Sequence, residues 1–361
     1  MPHSTAFVAA VALLPLVRAY GLPATLPARC APSSRRCATP VLEAPEASAA
    51  PLSLPPDSFK LLIDQAVAST EAAIADGQLL IEVEFPPIPI SKLEDSSLSA
   101  YDILLANLQF AFEFCKRLPL KAEGVPRNVA LTLPDSAERQ RAKAFYSDDE
   151  PWPNTKLWSL NGGDESGDEF SPMAFFGTIF KQGSGNVTPQ PGADMHLIVG
   201  ASCQELPAIQ KLAELTPNTP LVCFNLKLDI QRGDLGLPAF PPKAVHHDFL
   251  CKMKPVFYLR PRSYSLSLSV PPFLIAYQGV LYRRYPEPWQ TLLDRGKGSY
   301  RCVEASDDRP NLGTFKSQLT SALKLSDDKA SASAISSAGF KQSTWWEDDK
   351  DNRDVSDLWK K

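Results

Sequence analysis

The chain has 361 residues, 44% of them hydrophobic and 22% charged, with 34 prolines and 18 glycines. Those proportions exclude wholesale disorder and a collagen-like or low-complexity chain, and they fit a folded body with proline-punctuated loops. A formal net charge of −4 excludes the basic footprint that a dominant nucleic-acid role needs.

Residues 6–17 read AFVAAVALLPLV. This run is too short to span a bilayer, which takes about 20 residues, and has the length of a signal-peptide core. Val17 and Ala19 flank Arg18 at the −3 and −1 positions of a cleavage site. Residues 1–40 hold four arginines and no acid, a transit-peptide composition. A signal-like segment over 1–19 followed by a transit peptide and linker over 20–56 resembles the bipartite leader of algae with complex plastids. Tyr20 would open the transit part. The competing reading is a simple secretory signal. Cys30 and Cys37 fall in the leader, and the five remaining cysteines lie mostly in apolar runs. An odd number of such thiols suits a reduced compartment better than a disulfide framework. The mature start is expected between about residues 30 and 56.

Asp57 is expected to cap a helix whose apolar residues, Leu62, Ile63, Ala66 and Val67, follow a 3.6-residue period up to Gly77. A strand over 79–85 follows, with Ile81, Val83 and Phe85 on one face and Glu82 and Glu84 on the other. A well-buried helix is expected over 98–118, a strand over 128–133, a helix over 135–146 and a short strand over 156–160. The segment 161–192 reads as a long, mobile loop. Strands over 195–200 and 221–226 flank a helix over 204–215, and their near-continuous apolar runs suit a sheet covered on both faces. Beyond residue 226, strands are expected over 256–260 and 300–304. A hairpin is expected with strands 274–277 and 280–283 around Gln278-Gly279. Leu312, Phe315, Leu319 and Leu323 mark a last amphipathic helix. The fold class is therefore α/β. It is an open, mostly parallel sheet flanked by helices, with an antiparallel β-rich C-terminal part. One domain spans 57–325, and 326–361 is a tail.

No P-loop, GxGxxG helix start, HExxH, GxSxG or CxxC occurs. No metal or cofactor is expected. Gly183-Ser184-Gly185 lacks the flanking strand and helix of a phosphate cradle. His246 and His247, read as neighbours on a strand, would face opposite ways and could not share a metal. Asp135 or Ser136, and Ser202, read first as helix caps and second as anion sites. Cys203, in a first helical turn, reads first as a structural thiol and second as a nucleophile. The densest polar constellation is Asn225, Asp229, Arg232, Asp234, Lys243, His246 and Arg260. It is either an ion-paired connection or a recognition surface. In the first case Arg232→Ala or Asp234→Ala would destabilise the body. In the tail, residues 326–340 read as a tether, and Trp345, Trp346 and Trp359 as contacts to a protein partner. The competing reading folds them back onto their own body. Val355, Leu358 and Trp359 are expected on one face of a short helix.

Several of these segments together carry a resemblance. They are Asp64-Gln65-Ala66-Val67, Ile81 through Pro87, Phe224-Asn225-Leu226, Asp229, Arg232, Asp234-Leu235-Gly236, Phe240 through Lys243, His246, Pro255 through Tyr258, and Tyr285-Pro286 with Pro288-Trp289. Over about 57–325 the chain resembles a plastid domain family of plants and algae. That family includes the plant protein Low PSII Accumulation three, and a related domain is fused to a plastid adenylate kinase. The resemblance implies a non-enzymatic factor of the stroma or the stromal face of the thylakoid. Such a factor assists photosystem II assembly through contacts with photosystem II subunits or other assembly factors. It implies no catalytic residues. With no membrane span expected in the mature chain, any thylakoid contact is peripheral. The alternative is a small-ligand or nucleotide-binding α/β domain, which could be an enzyme, and whose ligand would sit at the strand ends.

Overall fold

Ser58 ends the linker: its hydroxyl accepts from the Leu61 amide at 3.4 Å and caps α1, Phe59–Ala75. Asp57, the expected cap, is one residue too early. Gly77, at φ +78°, turns the chain into β1, Leu80–Glu84. Ser99 and Asp102 cap each other at the start of α2, Ala100–Arg117. The computed structural model describes residues 52–89, 98–121, 124–145, 154–161, 187–267, 273–325, 343–348 and 356–361, with Lys92 and Pro271. Residues 1–51 of the leader, Gly183-Ser184-Gly185, most of the 161–192 segment, the 326–340 tether and Val355 lie outside the described residues.

The order continues with β2 (Val129–Leu133), α3 (Ser136–Phe145), β3 (Thr155–Ser159), β4 (Met195–Val199), α4 (Leu206–Leu215) and β5 (Leu221–Phe224). Then come α5 (Leu228–Asp234), α6 (Ala244–Asp248), β6 (Lys254–Ser267), β7 (Leu274–Arg284), β8 (Trp289–Asp294), β9 (Tyr300–Ser306), α7 (Leu312–Ala322) and α8 (Trp345–Asp348). The strands form one sheet in the order β3-β2-β4-β5-β1-β6-β7-β8-β9. Pairing is parallel from β3 to β6 and antiparallel from β6 to β9. The fold is the expected α/β class. No helix among the described residues is long and apolar enough to cross a membrane.

The C-terminal half departs from the sequence reading in its helices and in its strands: α5 and α6 were not foreseen. β6 is longer than expected, β8 was not foreseen, and Gln278-Gly279 is no turn. β7 runs straight through Gly279, which pairs with Arg262 on one side and Leu293 on the other. A Cβ at Gly279 would lie 2.4 and 2.8 Å from the Leu319 methyls of α7. The glycine thus marks a close helix approach rather than a reversal. Gly279→Ala is expected to lower stability by about 1–3 kcal/mol through overpacking. Urea denaturation checks this, and when Leu319→Ala, itself costly at a buried position, is combined with it, the two losses should be less than additive.

Ile81, Val83 and Phe85 point into an apolar layer shared with α1, α2 and α3. The opposite sheet face carries two separate apolar clusters. One gathers α4 with Cys223, Leu226 and Leu228, and the other gathers Phe315 and Leu319 of α7 with Tyr258 and Trp289. β1 lies between β5 and β6, so Glu82 and Glu84 project between the two clusters. Residues 51–361 form one compact unit. Its start reaches back past Asp57, because the Ser53 hydroxyl donates to Glu287 at 2.6 Å and the Ser53 carbonyl accepts from Gln290 at 3.0 Å.

Candidate functional site

The strand that reads as half polar in sequence is a central strand, so both of its glutamates are buried. A buried carboxylate needs donors or cations. The chain brings them from three directions beyond the carboxyl ends of β1 and β5. α5 supplies Asp229 and Arg232, three residues apart on one helix face. β6 supplies Tyr258, which pairs with Glu84 in register, and Arg260 two residues on. The loop after β9 supplies Arg309.

Asp229 is the hub. Its Oδ1 accepts from Arg232 Nη1 at 3.1 Å. Its Oδ2 accepts from the Tyr258 hydroxyl at 2.6 Å, from Arg260 Nη1 at 3.0 Å and from Arg309 Nη2. Burial alone would raise this carboxyl, but the guanidiniums of Arg309, Arg260 and Arg232 together hold it well below the usual carboxylate range. Arg232, wholly buried, also lies 3.7 Å from Glu82. Burial pushes Glu82 up, with Arg232 opposing. Burial also pushes Glu84 up, to about 7, although Arg260 opposes it and Oε2 accepts from the Lys227 amide at 2.9 Å. The cluster therefore holds one firmly ionised acid, three guanidiniums and two glutamates that resist ionisation.

A pH dependence follows from the sign of the Glu84 displacement. A carboxyl whose pKa is raised on folding from 4.5 to about 7 holds its proton more tightly in the folded state. Its contribution is full below about pH 4.5 and is lost as pH rises to about 7, by on the order of 3 kcal/mol. Glu82 acts in the same direction, whereas Asp229 contributes above the ordinary aspartate range and fails only in strong acid. Glu84→Gln, which keeps an acceptor for the Lys227 amide, is expected to shrink the stability difference between pH 5 and pH 8 measured by urea denaturation. An undiminished difference would count against this assignment.

Of the residues singled out in sequence, Asp229, Arg232 and Arg260 come together. Asn225 instead clamps the ends of β1 and β5. At φ +52°, its Oδ1 accepts from the Phe85 amide at 2.8 Å and its Nδ2 donates to Asn107 at 3.0 Å. Asp234 stands at the end of α5 and is half-buried, with no ion pair among the described residues. It lies near Cys203, whose thiol it helps to raise. Lys243 and His246 meet the tail. The Lys243 ammonium lies 4.5 Å from the Trp345 ring centroid, and the His246 ring 5.3 Å from it. His246 and His247 are on α6, not on a strand, and their rings are neighbours at 5.3 Å.

The three tail tryptophans rest on their own body. Trp345 Nε1 donates to the Arg232 carbonyl at 3.0 Å, and Trp346 and Trp359 are buried beside Cys251. The Trp359 ring centroid is 5.1 Å from the Arg232 guanidinium and 5.6 Å from that of Arg309, so it roofs the charge cluster with cation–π contacts. The Arg309 amide donates to the Lys360 carbonyl at 2.7 Å. This is the fold-back arrangement. Leu358 is exposed while Trp359 is buried, so these two do not share the expected helix face.

The remaining candidates settle into structural roles. Asp135 accepts from the Glu138 amide at 2.8 Å, and Ser202 exchanges hydrogen bonds with Gln204 and Glu205. Both act as caps. Burial pushes the Cys203 thiol up to about 11 and Cys115 up to about 12, the opposite of an activated nucleophile. Burial holds His196, inside β4, down to about 4. The residues missed in sequence are Glu82, Glu84, Tyr258 and Arg309. Two glutamates alternating with large apolar residues just before Pro86-Pro87 were the available signal for the first pair. Nothing local marks Arg309.

Residues 56–317 match the family described as a domain of unknown function, DUF1995. No curated protein and no solved structure matches the chain.

Proposed function

The chain belongs to the DUF1995 family, and from that premise we propose that it is a non-enzymatic plastid factor that assists photosystem II assembly through protein–protein contacts. One observation carries this reading. The charged residues of the 221–260 segment that are the best candidates for chemistry, Asp229, Arg232 and Arg260, are spent on one another beneath a tryptophan roof. They brace a rigid body, and they leave recognition to its surface. The resemblance to the family of Low PSII Accumulation three supplies the process. The first 40 residues, arginine-rich and acid-free, supply the compartment, with the protein in the stroma or peripherally on the stromal face of the thylakoid.

The test is genetic and biochemical. In a strain lacking the protein, blue-native gels of plastid membranes should show assembled photosystem II reduced and its assembly intermediates retained. Normal assembly in that strain would overturn the proposal. N-terminal sequencing of the native protein should show that the leader has been removed.

A further inference from the structure

The strands of the antiparallel half do not end level. Among the described residues β6 pairs with β1 only over Lys254–Tyr258, and β7 pairs with β8 only over Gly279–Tyr282. The two strands nevertheless stay paired with each other as far as Ser267 and Leu274. They therefore run on past their neighbours as a two-stranded arm. Such a ribbon is marginal by itself. Here Tyr264 and Tyr277 stack across it with ring centroids 5.5 Å apart, and Tyr264 also meets Phe315 of α7 at 6.2 Å. Leu274 stands five residues beyond Gly279, about 17 Å along the strand at the usual rise. At the end of the arm Phe273 and Leu274 are 64% and 59% exposed, the most exposed large apolar side chains among the described residues.

β8 is antiparallel to β7, so it runs toward the same end of the sheet. Its turn into β9 carries Arg295 and Lys297, both exposed, and Arg301 is exposed just beyond. The one acid of that turn, Asp294, is half-buried and accepts from the Gly296 amide at 2.6 Å. The arm itself adds no negative charge, since residues 249–286 contain no Asp or Glu. One end of the sheet thus presents a narrow apolar tip beside a basic turn, in a chain of net charge −4. Charges elsewhere on the body weigh little there, because physiological salt screens them beyond about 8 Å.

We infer that this end of the sheet docks on a bilayer that contains anionic lipid. Phe273 and Leu274 enter the boundary between headgroups and acyl chains, about 5–10 Å deep, and Arg295, Lys297 and Arg301 meet the anionic headgroups. Two side chains at the end of a ribbon fall far short of the roughly 800 Å² per partner that a stable protein interface buries, whereas a bilayer accepts a narrow tip. The arm stays at the interface and does not span, because its open edges carry backbone groups that need water or headgroups. The site deepens the peripheral part of the assembly reading and rests on it for its place on the thylakoid. Its failure on vesicles is distinct from a failure of the blue-native test.

Flotation of the full chain with vesicles tests the inference, using phosphatidylglycerol and phosphatidylcholine in equal parts. The wild type should float with them and be released as salt is raised. Phe273→Ser with Leu274→Ser, and separately Arg295→Ala with Lys297→Ala, should each weaken binding roughly tenfold or more. Both double variants should melt with the wild type, because all four side chains are exposed. The N-terminal segment is common to all three proteins, so its own affinity for lipid cancels in the comparison. No flotation of the wild type, or undiminished binding in either double variant, would overturn the inference. So would a wild-type dimer in sedimentation velocity that Phe273→Ser with Leu274→Ser dissolves, since a second copy would then cover the tip.

Discussion

Asp229→Ala is expected to destabilise the folded body by about 3–5 kcal/mol, the range for removing one partner of a buried ion pair. The magnitude follows from what remains. Arg232, Arg260 and Arg309 all point at this carboxylate, and Tyr258 donates to it as well. Without it, three guanidiniums face only Glu82 and Glu84, both of which resist ionisation. Asp229→Asn keeps the shape and removes the charge, so its loss should approach that of alanine. Urea denaturation of the three proteins gives the comparison. A loss below about 1 kcal/mol in both variants, no more than an ordinary hydrogen bond contributes, would dismiss Asp229 as the hub. Arg232→Ala should be costly for the same reason. Asp234→Ala, grouped with it on sequence grounds, should stay near the ±0.5 kcal/mol typical of a surface change, because Asp234 stands outside the cluster.

The second large effect concerns the roof. Trp359→Ala is expected to cost about 3–5 kcal/mol, as truncation of a buried aromatic does, and to lower the melting temperature by roughly 6–20 °C for a body of this size. The indole is buried, and the substitution would open a void above two guanidiniums that now rest on its ring. Removing residues 343–361 should be at least as damaging, since it also strips Trp346 and the Trp345 bond to the Arg232 carbonyl. A tail that only awaited a partner would leave the melting temperature unchanged in both proteins. Thermal melts followed by tryptophan-independent circular dichroism separate the two outcomes.

Much of this architecture is legible in the chain itself. The near-continuous apolar runs at Met195–Val199 and Leu221–Phe224 announce strands covered on both faces, because a two-sided sheet makes nearly every residue of a strand apolar. The period of Leu62, Ile63, Ala66 and Val67 announces α1, and Ser202 announces a helix start, because caps and amphipathic stripes are local properties. Asp229 and Arg232 were legible only as members of a polar constellation; that they share one helix, three residues apart, is a finding of the structure.

Position in the sheet is not local, and that is where the sequence ran out. Glu82 and Glu84 alternate as a half-exposed strand would. Only the placement of β1 between β5 and β6 buries them and turns them into the acidic side of an ion cluster. Gly279 carries the local mark of a turn, and only the approach of Leu319 from α7, 40 residues later in the chain, shows why a glycine lies in mid-strand. Arg309 belongs to no pattern at all. It joins Asp229, 80 residues away, because β9 ends beside the cluster. The tryptophans of the tail announced a contact but not its address. Sequence alone determined the α/β class, most of the elements before residue 226 and the wealth of polar groups around 225–262. Tertiary structure decided which of those groups meet, since charge pairing across a sheet depends on strand order, which no local periodicity encodes.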